Sequence, residues 1–412
     1  MTVRRLLALA LCVLLLTGCT SGVPETTAPS EPEYIGNSPV PNIRTGINSQ
    51  GMSTLGNGME VTESGVYFMC YLKGLTYLLY ADHDSDTFVK LCARPDCTHS
   101  DRFCNAYFEN GTNVYYDGTH LYVGEVSGTY MNVFRLDPDG SNRTIIMDTS
   151  AVREGFNKGG SMLSISNGCC FFTLGKMDGG TINETCFYYK LDGSMEQPER
   201  LTGGLTYAFD DGTNFIVGGN RRSDGRAHGS RLLWDPETNT AEWFVDQPEW
   251  FYGYVSKDGI FYVDDGVLYR RNAGTETTDT LFDTGLRGDY EIEAFPEYFI
   301  IRDTVLWWKE GGEEASLDSQ TLRFYNWDFE KLGECEIDFP VLGSNIYENI
   351  IAGESKDRIY LAAHQVGLPE YYIEKSDLET GKIKIHRLEL PEDIEMILQQ
   401  IDQDAGLEPW EE

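Results

Sequence analysis

Beyond about residue 60, apolar and polar positions alternate in short runs rich in aromatic and β-branched residues, each run cut by a polar turn. That period belongs to strands and not to helices. Seven segments open alike, with a polar Asx/Gly turn leading into a strand that ends in an aromatic. They begin at Glu63-Ser64-Gly65-Val66-Tyr67-Phe68, Tyr116-Asp117-Gly118-Thr119-His120-Leu121-Tyr122 and Ser166-Asn167-Gly168-Cys169-Cys170-Phe171. Asp210-Asp211-Gly212-Thr213-Asn214-Phe215, Lys257-Asp258-Gly259-Ile260-Phe261-Tyr262, a weaker copy at Pro296-Glu297-Tyr298-Phe299, and Ser355-Lys356-Asp357-Arg358-Ile359-Tyr360 follow. Aligned at 65, 118, 168, 212, 259, 297 and 358, the turns are 53, 50, 44, 47, 38 and 61 residues apart.

The second halves repeat as well. Val133-Phe134-Arg135-Leu136-Asp137-Pro138-Asp139-Gly140, Tyr188-Tyr189-Lys190-Leu191-Asp192-Gly193, Leu233-Trp234-Asp235-Pro236-Glu237-Thr238-Asn239 and Lys375-Ser376-Asp377-Leu378-Glu379-Thr380-Gly381 each place a turn between two strand-like runs. Gly and Asn accept the positive φ that tight hairpins need. Unequal periods with three or four strands each predict an all-β fold, a β-propeller of about seven blades over residues 51–390. Six or eight blades fit the spacing too, and a sandwich or a string of small β domains is the competing architecture. Met52–Val61 or the C-terminal strand is expected to close the ring.

The two ends read differently. Pro391-Glu392-Asp393 opens a run in which Ile394, Ile397, Leu398 and Ile401 recur at helical spacing, with Pro and acids suited to a helix start. Residues 391–412 are therefore expected to form a short amphipathic helix docked on the propeller, ended by Gly406, and an acidic tail. At the other end, Arg4 and Arg5 precede the apolar run Leu6–Leu16. Residues 1–18 read as a secretory signal, since 11 apolar residues fall short of the roughly 20 that span a bilayer. Leu16-Thr17-Gly18-Cys19 resembles the bacterial lipobox, in which the Cys takes a diacylglyceryl thioether and becomes the new N-terminus. Residues 19–50, rich in Pro, Ser, Thr and Asn, read as a lipidated flexible spacer.

Charge narrows the partners. The 412 residues carry 66 Asp and Glu against 32 Lys and Arg, a net charge of −34. So acidic a chain argues against nucleic acid, whose affinity comes from Lys and Arg neutralising phosphates, and against polybasic attachment to acidic lipid. With 41% hydrophobic and 12% aromatic residues, the bulk of the chain can build a core.

The densest chemistry lies in Cys92-Ala93-Arg94-Pro95-Asp96-Cys97-Thr98-His99-Ser100-Asp101-Arg102-Phe103-Cys104. Three thiolates and an imidazole at Cys92, Cys97, His99 and Cys104 are a standard tetrahedral ligand set for a structural Zn²⁺. A disulfide from Cys92 or Cys97 to Cys104, with His99 as a bystander, suits an extracytoplasmic protein equally, and free thiols are a third reading. Outside the signal and Cys19, eight cysteines stand at 70, 92, 97, 104, 169, 170, 186 and 335. Cys169 and Cys170 are adjacent in a predicted strand and should face opposite ways as buried residues. Asp82-His83-Asp84-Ser85-Asp86 opens like a Ca²⁺ loop but has Thr87 where the sharp-turn Gly belongs, so an acidic hairpin tip is expected. His120, His228, His364 and His386 are isolated, and no G-x-S-x-G, H-E-x-x-H or P-loop occurs.

The blades and the Cys/His stretch together resemble divergent β-propeller lipoproteins of Firmicutes, whose hairpins read DGxxLY and LYRxDxDG and which often carry a C-x-x-P-x-C-x-H stretch between the first two blades. The resemblance covers about residues 55–390 and implies the architecture, with no established activity. The expected function is that of a membrane-anchored extracytoplasmic lipoprotein, tethered through the lipid on Cys19, whose propeller binds a protein or glycan and is not an enzyme. Exposed aromatics such as Trp243, Trp250, Trp307 and Trp308 are candidates for stacking on sugars. The alternatives are a propeller enzyme acting on glycans, a quinone-dependent oxidoreductase, and a metal-handling or redox-sensing protein built on the Cys/His stretch.

Overall fold

A computed structural model describes residues 58–405, apart from 73–74, 100–102, 128–129, 157, 179–180, 211–214, 220–229, 247–252, 257, 287–289, 296, 304–319, 338–350 and 364–367. The signal, Cys19, the spacer, Gly406 and the acidic tail lie outside the described residues, as do Trp250, Trp307 and Trp308.

The strand-like runs form seven antiparallel sheets, each built from strands consecutive in the chain. Sheet one holds β1 (Met59–Val61), β2 (Gly65–Leu72), β3 (Leu75–Asp82) and β4 (Val89–Lys90), with β5 (Tyr107–Phe108) also paired to β3. Sheet two holds β6 (Gly111–Tyr116), β7 (Leu121–Ser127), β8 (Tyr130–Leu136) and β9 (Thr144–Asp148). Sheet three holds β10 (Lys158–Ser166), β11 (Cys169–Asp178), β12 (Thr181–Lys190) and β13 (Glu199–Arg200). Sheet four comprises β14 (Leu205–Asp210), β15 (Phe215–Gly219), β16 (Ser230–Asp235) and β17 (Thr240–Asp246). Sheet five comprises β18 (Gly253–Ser256), β19 (Gly259–Asp264), β20 (Val267–Asn272) and β21 (Thr278–Asp283). Sheet six comprises β22 (Tyr290–Ala294), β23 (Tyr298–Asp303), β24 (Gln320–Asn326) and β25 (Lys331–Ile337). Sheet seven comprises β26 (Ile351–Glu354), β27 (Arg358–Leu361), β28 (Tyr371–Glu374) and β29 (Ile385–Arg387). This is the expected seven-bladed β-propeller.

Six of the seven aligned turns fall between the first and second strands of their sheets, or open the second, and the turn at 212 lies outside the described residues. At Asn167-Gly168, φ values of 43° and 75° are those of a hairpin turn that right-twisted strands favour. Gly259 shows why glycine is needed at such a turn. Its φ is 134°, and a Cβ there would lie 2.0 Å from the Arg271 carbonyl oxygen.

Antiparallel order gives each sheet two distinct ends. One end carries the first-to-second and third-to-fourth turns; the other carries the second-to-third turns and the connections to the next sheet. The core lies between sheets. Cys169, Phe171 and Tyr188 of sheet three pack with Phe215, Val217 and Trp234 of sheet four. Cys170, Phe172 and Tyr189 face the other way, toward Tyr115, Tyr122 and Val133 of sheet two. The two adjacent cysteines thus sit back to back, as a period of two requires.

Of the Met52–Val61 segment expected to help close the ring, residues 52–57 lie outside the described residues. Among those described, β1 pairs with β2 and β29 with β28. Side chains and a short parallel bridge do the joining. Val66, Phe68 and Phe88 of the first blade pack with Tyr360, Tyr372, Leu388 and Leu390 of the last. Thr87 and Glu389 form the bridge, with Phe88 N–H donating to Glu389 O at 2.8 Å and Glu389 N–H to Asp86 O at 2.7 Å. Arg358 reinforces it, lying 2.7 Å from Asp86 and 3.2 Å from Glu374. Asp86 is therefore used in closure, and the Asp82–Asp86 stretch is the acidic hairpin tip expected of it.

One difference concerns a helix. Lys375–Gly381, read as one more hairpin turn, forms a helix α1 (Lys375–Thr380) ended by Gly381 at φ 67°. The amphipathic helix α2 (Glu392–Ala405) forms as expected. Its Ile394 and Leu398 are buried, with Ile397 and Ile401 half-buried, against the cluster that closes the ring. Among the described residues, no helix is long and apolar enough to cross a membrane.

Candidate metal centre and interblade cleft

The connection from β4 to β5 carries the Cys/His stretch along the edge between sheets one and two. Cys97 N–H donates to Arg94 O at 3.3 Å, closing a turn, and the Arg94 guanidinium reaches across the loop to Phe103 O at 2.8 Å. These bonds fold the stretch back on itself. The ligand atoms of Cys92, Cys97, His99 and Cys104 all lie within 4.8 Å of one another. Zn–S bonds of about 2.3 Å put tetrahedral ligand atoms roughly 3.7 Å apart. The loop therefore needs only a small contraction to enclose an ion, and the donors fit Zn²⁺ in type, number and spacing.

Three details tie the loop to that chemistry. His99 has φ 55°, a conformation unusual for a residue with a Cβ, and its Nδ1 lies 3.3 Å from Cys104 Sγ. Cys104 is fully buried, whereas Cys92, Cys97 and His99 are half-exposed, so the cluster has one buried side and one side toward solvent. None of the eight described cysteines is joined in a disulfide.

The thiols differ electrostatically. Burial pushes the Cys104 thiol up, a backbone hydrogen bond from Ala106 opposes this, and Cys97 and Cys92 add to the rise, to about 12. Burial acts upward on Cys92 too. Backbone N–H groups of Arg94 and Asn105 and the Cys97 and Cys104 thiols outweigh it, and Cys92 is shifted down.

Residues distant in sequence support the loop. Arg143 Nη1 donates to Tyr107 O at 2.5 Å and to Cys104 O at 3.4 Å. Its guanidinium lies 4.0 Å and 4.2 Å from the ring centroids of Phe108 and Phe134, and Glu125 is 3.8 Å away. Nothing local in the sequence marks Arg143 for this role. His228 and His364 lie outside the described residues, and among those described the other candidates do not gather. His120 and His386 lie at Tyr122 and Tyr372, in sheets two and seven, and His83 meets Thr62 O at 2.7 Å. Trp243 is half-buried and donates to Asp246 at 3.1 Å.

A second concavity opens between sheets six and seven, at the end that carries the first-to-second and third-to-fourth turns. It measures about 570 Å³, within the usual range for small-molecule clefts. Its base holds a buried polar chain, with Tyr298 OH donating to Glu354 Oε2 at 2.9 Å and Lys375 Nζ paired to the same oxygen. Burial first, then Glu354, raises the Tyr298 hydroxyl well above its ordinary range.

The chain matches no family model, and no curated relative shows significant similarity. Among solved structures, an uncharacterized protein of Listeria monocytogenes EGD-e is 12% identical, with 81% of this chain and 95% of that chain covered, at a TM-score of 0.42. A putative 6-phosphogluconolactonase of Bacteroides fragilis NCTC 9343 is 12% identical over 80% and 97% of the two chains, at 0.42. The WD40 domain of Toxoplasma gondii coronin is 11% identical over 75% and 78%, at 0.38. Likeness at this level carries no activity, ligand or partner across.

Proposed function

We propose that the protein is a lipoprotein held outside the cytoplasm by a diacylglyceryl group on Cys19, and that its propeller is a non-catalytic binding module for a protein or glycan. One structural Zn²⁺ on Cys92, Cys97, His99 and Cys104 fixes the connection between the first two blades. The observation that carries this reading is the closed ligand set. Four protein donors fill a tetrahedral shell and leave no position for a water or substrate, which is the arrangement of structural and not catalytic zinc. A disulfide would use two of the three thiols and leave the third thiol and the imidazole without a task. Seven blades presenting turns and connections at both ends of the ring suit recognition, because binding residues concentrate on loops held by a rigid scaffold. The acidic surface keeps nucleic acid from being the ligand.

Cell fractionation with the N-terminal peptide analysed by mass spectrometry tests the anchoring. Wild-type protein should sediment with membranes and begin at a lipid-modified Cys19, and Cys19→Ala should be released. An unmodified Cys19 in the mature protein would sink the lipoprotein reading.

A further inference from the structure

The cleft between sheets six and seven occurs where the repeat breaks. In the other six sheets the third and fourth strands are joined without a helix, whereas in sheet seven α1 lies in that connection, and Glu374 to Glu379 supply half of the cleft wall. A local departure from an otherwise consistent pattern is where function is expected. The helix is firmly seated: Leu378 is buried with Leu332 and Ile383, Lys375 N–H donates to Asp357 O at 2.8 Å, and Lys384 N–H donates to Asp377 at 3.1 Å. The walls are thus organised before any ligand arrives, which lowers the cost of binding.

Resting on the binding-module reading, we infer that this cleft binds a neutral polyhydroxylated ligand, a short glycan. The floor is apolar at Tyr298, Leu332 and Leu378 and presents the Lys375 ammonium, whose charge Glu354 balances. The rim carries Glu297, Asp357 and Glu379 against Lys356, so an anion would meet carboxylates. Sugar hydroxyls, in contrast, accept from Lys375, Lys356 and Ser376 and donate to the rim carboxylates, while the C–H face of a pyranose lies on the apolar floor.

Saturation-transfer NMR on the full chain in detergent tests this, with maltose, cellobiose and N,N′-diacetylchitobiose as probes and spermidine and citrate as charged controls. At least one disaccharide should bind. Its affinity should fall about tenfold or more in Ser376→Trp, which blocks the mouth from an exposed position. The same loss is expected in the double variant Lys375→Met/Glu354→Gln, which removes both buried charges together and so avoids leaving one unpaired. Binding that survives both variants would remove the assignment to this cleft while leaving a binding module. No disaccharide binding, or a preference for spermidine or citrate, would overturn the ligand class, and Cys19 acylation stands or falls separately.

Discussion

His99 Nδ1 lies 3.3 Å from Cys104 Sγ, an exposed-side imidazole held in a left-handed backbone conformation against a fully buried thiol. The contact joins the solvent side of the Cys/His loop to its anchored side, and its geometry suits two ligands of one ion. Removing the metal should therefore loosen this loop without unfolding the ring, whose core lies between the blades. Chelation is expected to lower the thermal midpoint and expose the loop to protease between Arg94 and Phe103. Restoring Zn²⁺ should reverse both. Limited proteolysis with and without a chelator checks this, and an unchanged digestion pattern would speak against a metal.

The thiols of the metal-free protein should react in a fixed order. Alkylation needs the thiolate, so a lowered value brings reactivity to lower pH and a raised value delays it. Cys92, shifted down, should be modified below the ordinary thiol range, whereas Cys104, pushed up to about 12, should resist iodoacetamide throughout the neutral range. Peptide mapping of alkylation against pH reads the order, and simultaneous modification of both would contradict the geometry. Zinc should protect all three cysteines.

Ring closure depends on α2. Leu398 is only 2% exposed in the closing cluster, and Leu398→Ala should cost about 2–5 kcal/mol by leaving a cavity. Arg358→Ala removes the Asp86 and Glu374 pairs, a hydrogen bond to Ser85 O at 3.0 Å and the stacking on Tyr372. Because Asp86 is half exposed, solvent screens that pair, and about 1–2 kcal/mol is expected. Denaturant unfolding of both variants measures the difference. A neutral Leu398→Ala would mean that the helix does not hold the ring.

The blades were legible because their turns require particular residues. Asn167-Gly168 and Gly259 adopt positive φ, and the alternation around them marks the strands. Ile394 and Leu398 likewise revealed which face of α2 is buried. The four metal donors were legible because they lie within one short stretch. Their support was not: Arg143 is 39 residues from Cys104, and Tyr298 meets Glu354 across 56 residues. Only the ring geometry brings such pairs together. Lys375–Thr380 misled because a Thr-Gly ending serves a helix cap as well as a hairpin turn, and burial of Leu378 against sheet six decides for the helix.

Native mass spectrometry of the full mature chain, followed by thiol counting after denaturation, tests the metal centre most directly. The account predicts one Zn²⁺ per chain and free thiols at Cys92, Cys97 and Cys104, with the metal lost in Cys104→Ser. A metal-free chain with Cys92 or Cys97 linked to Cys104 would contradict it.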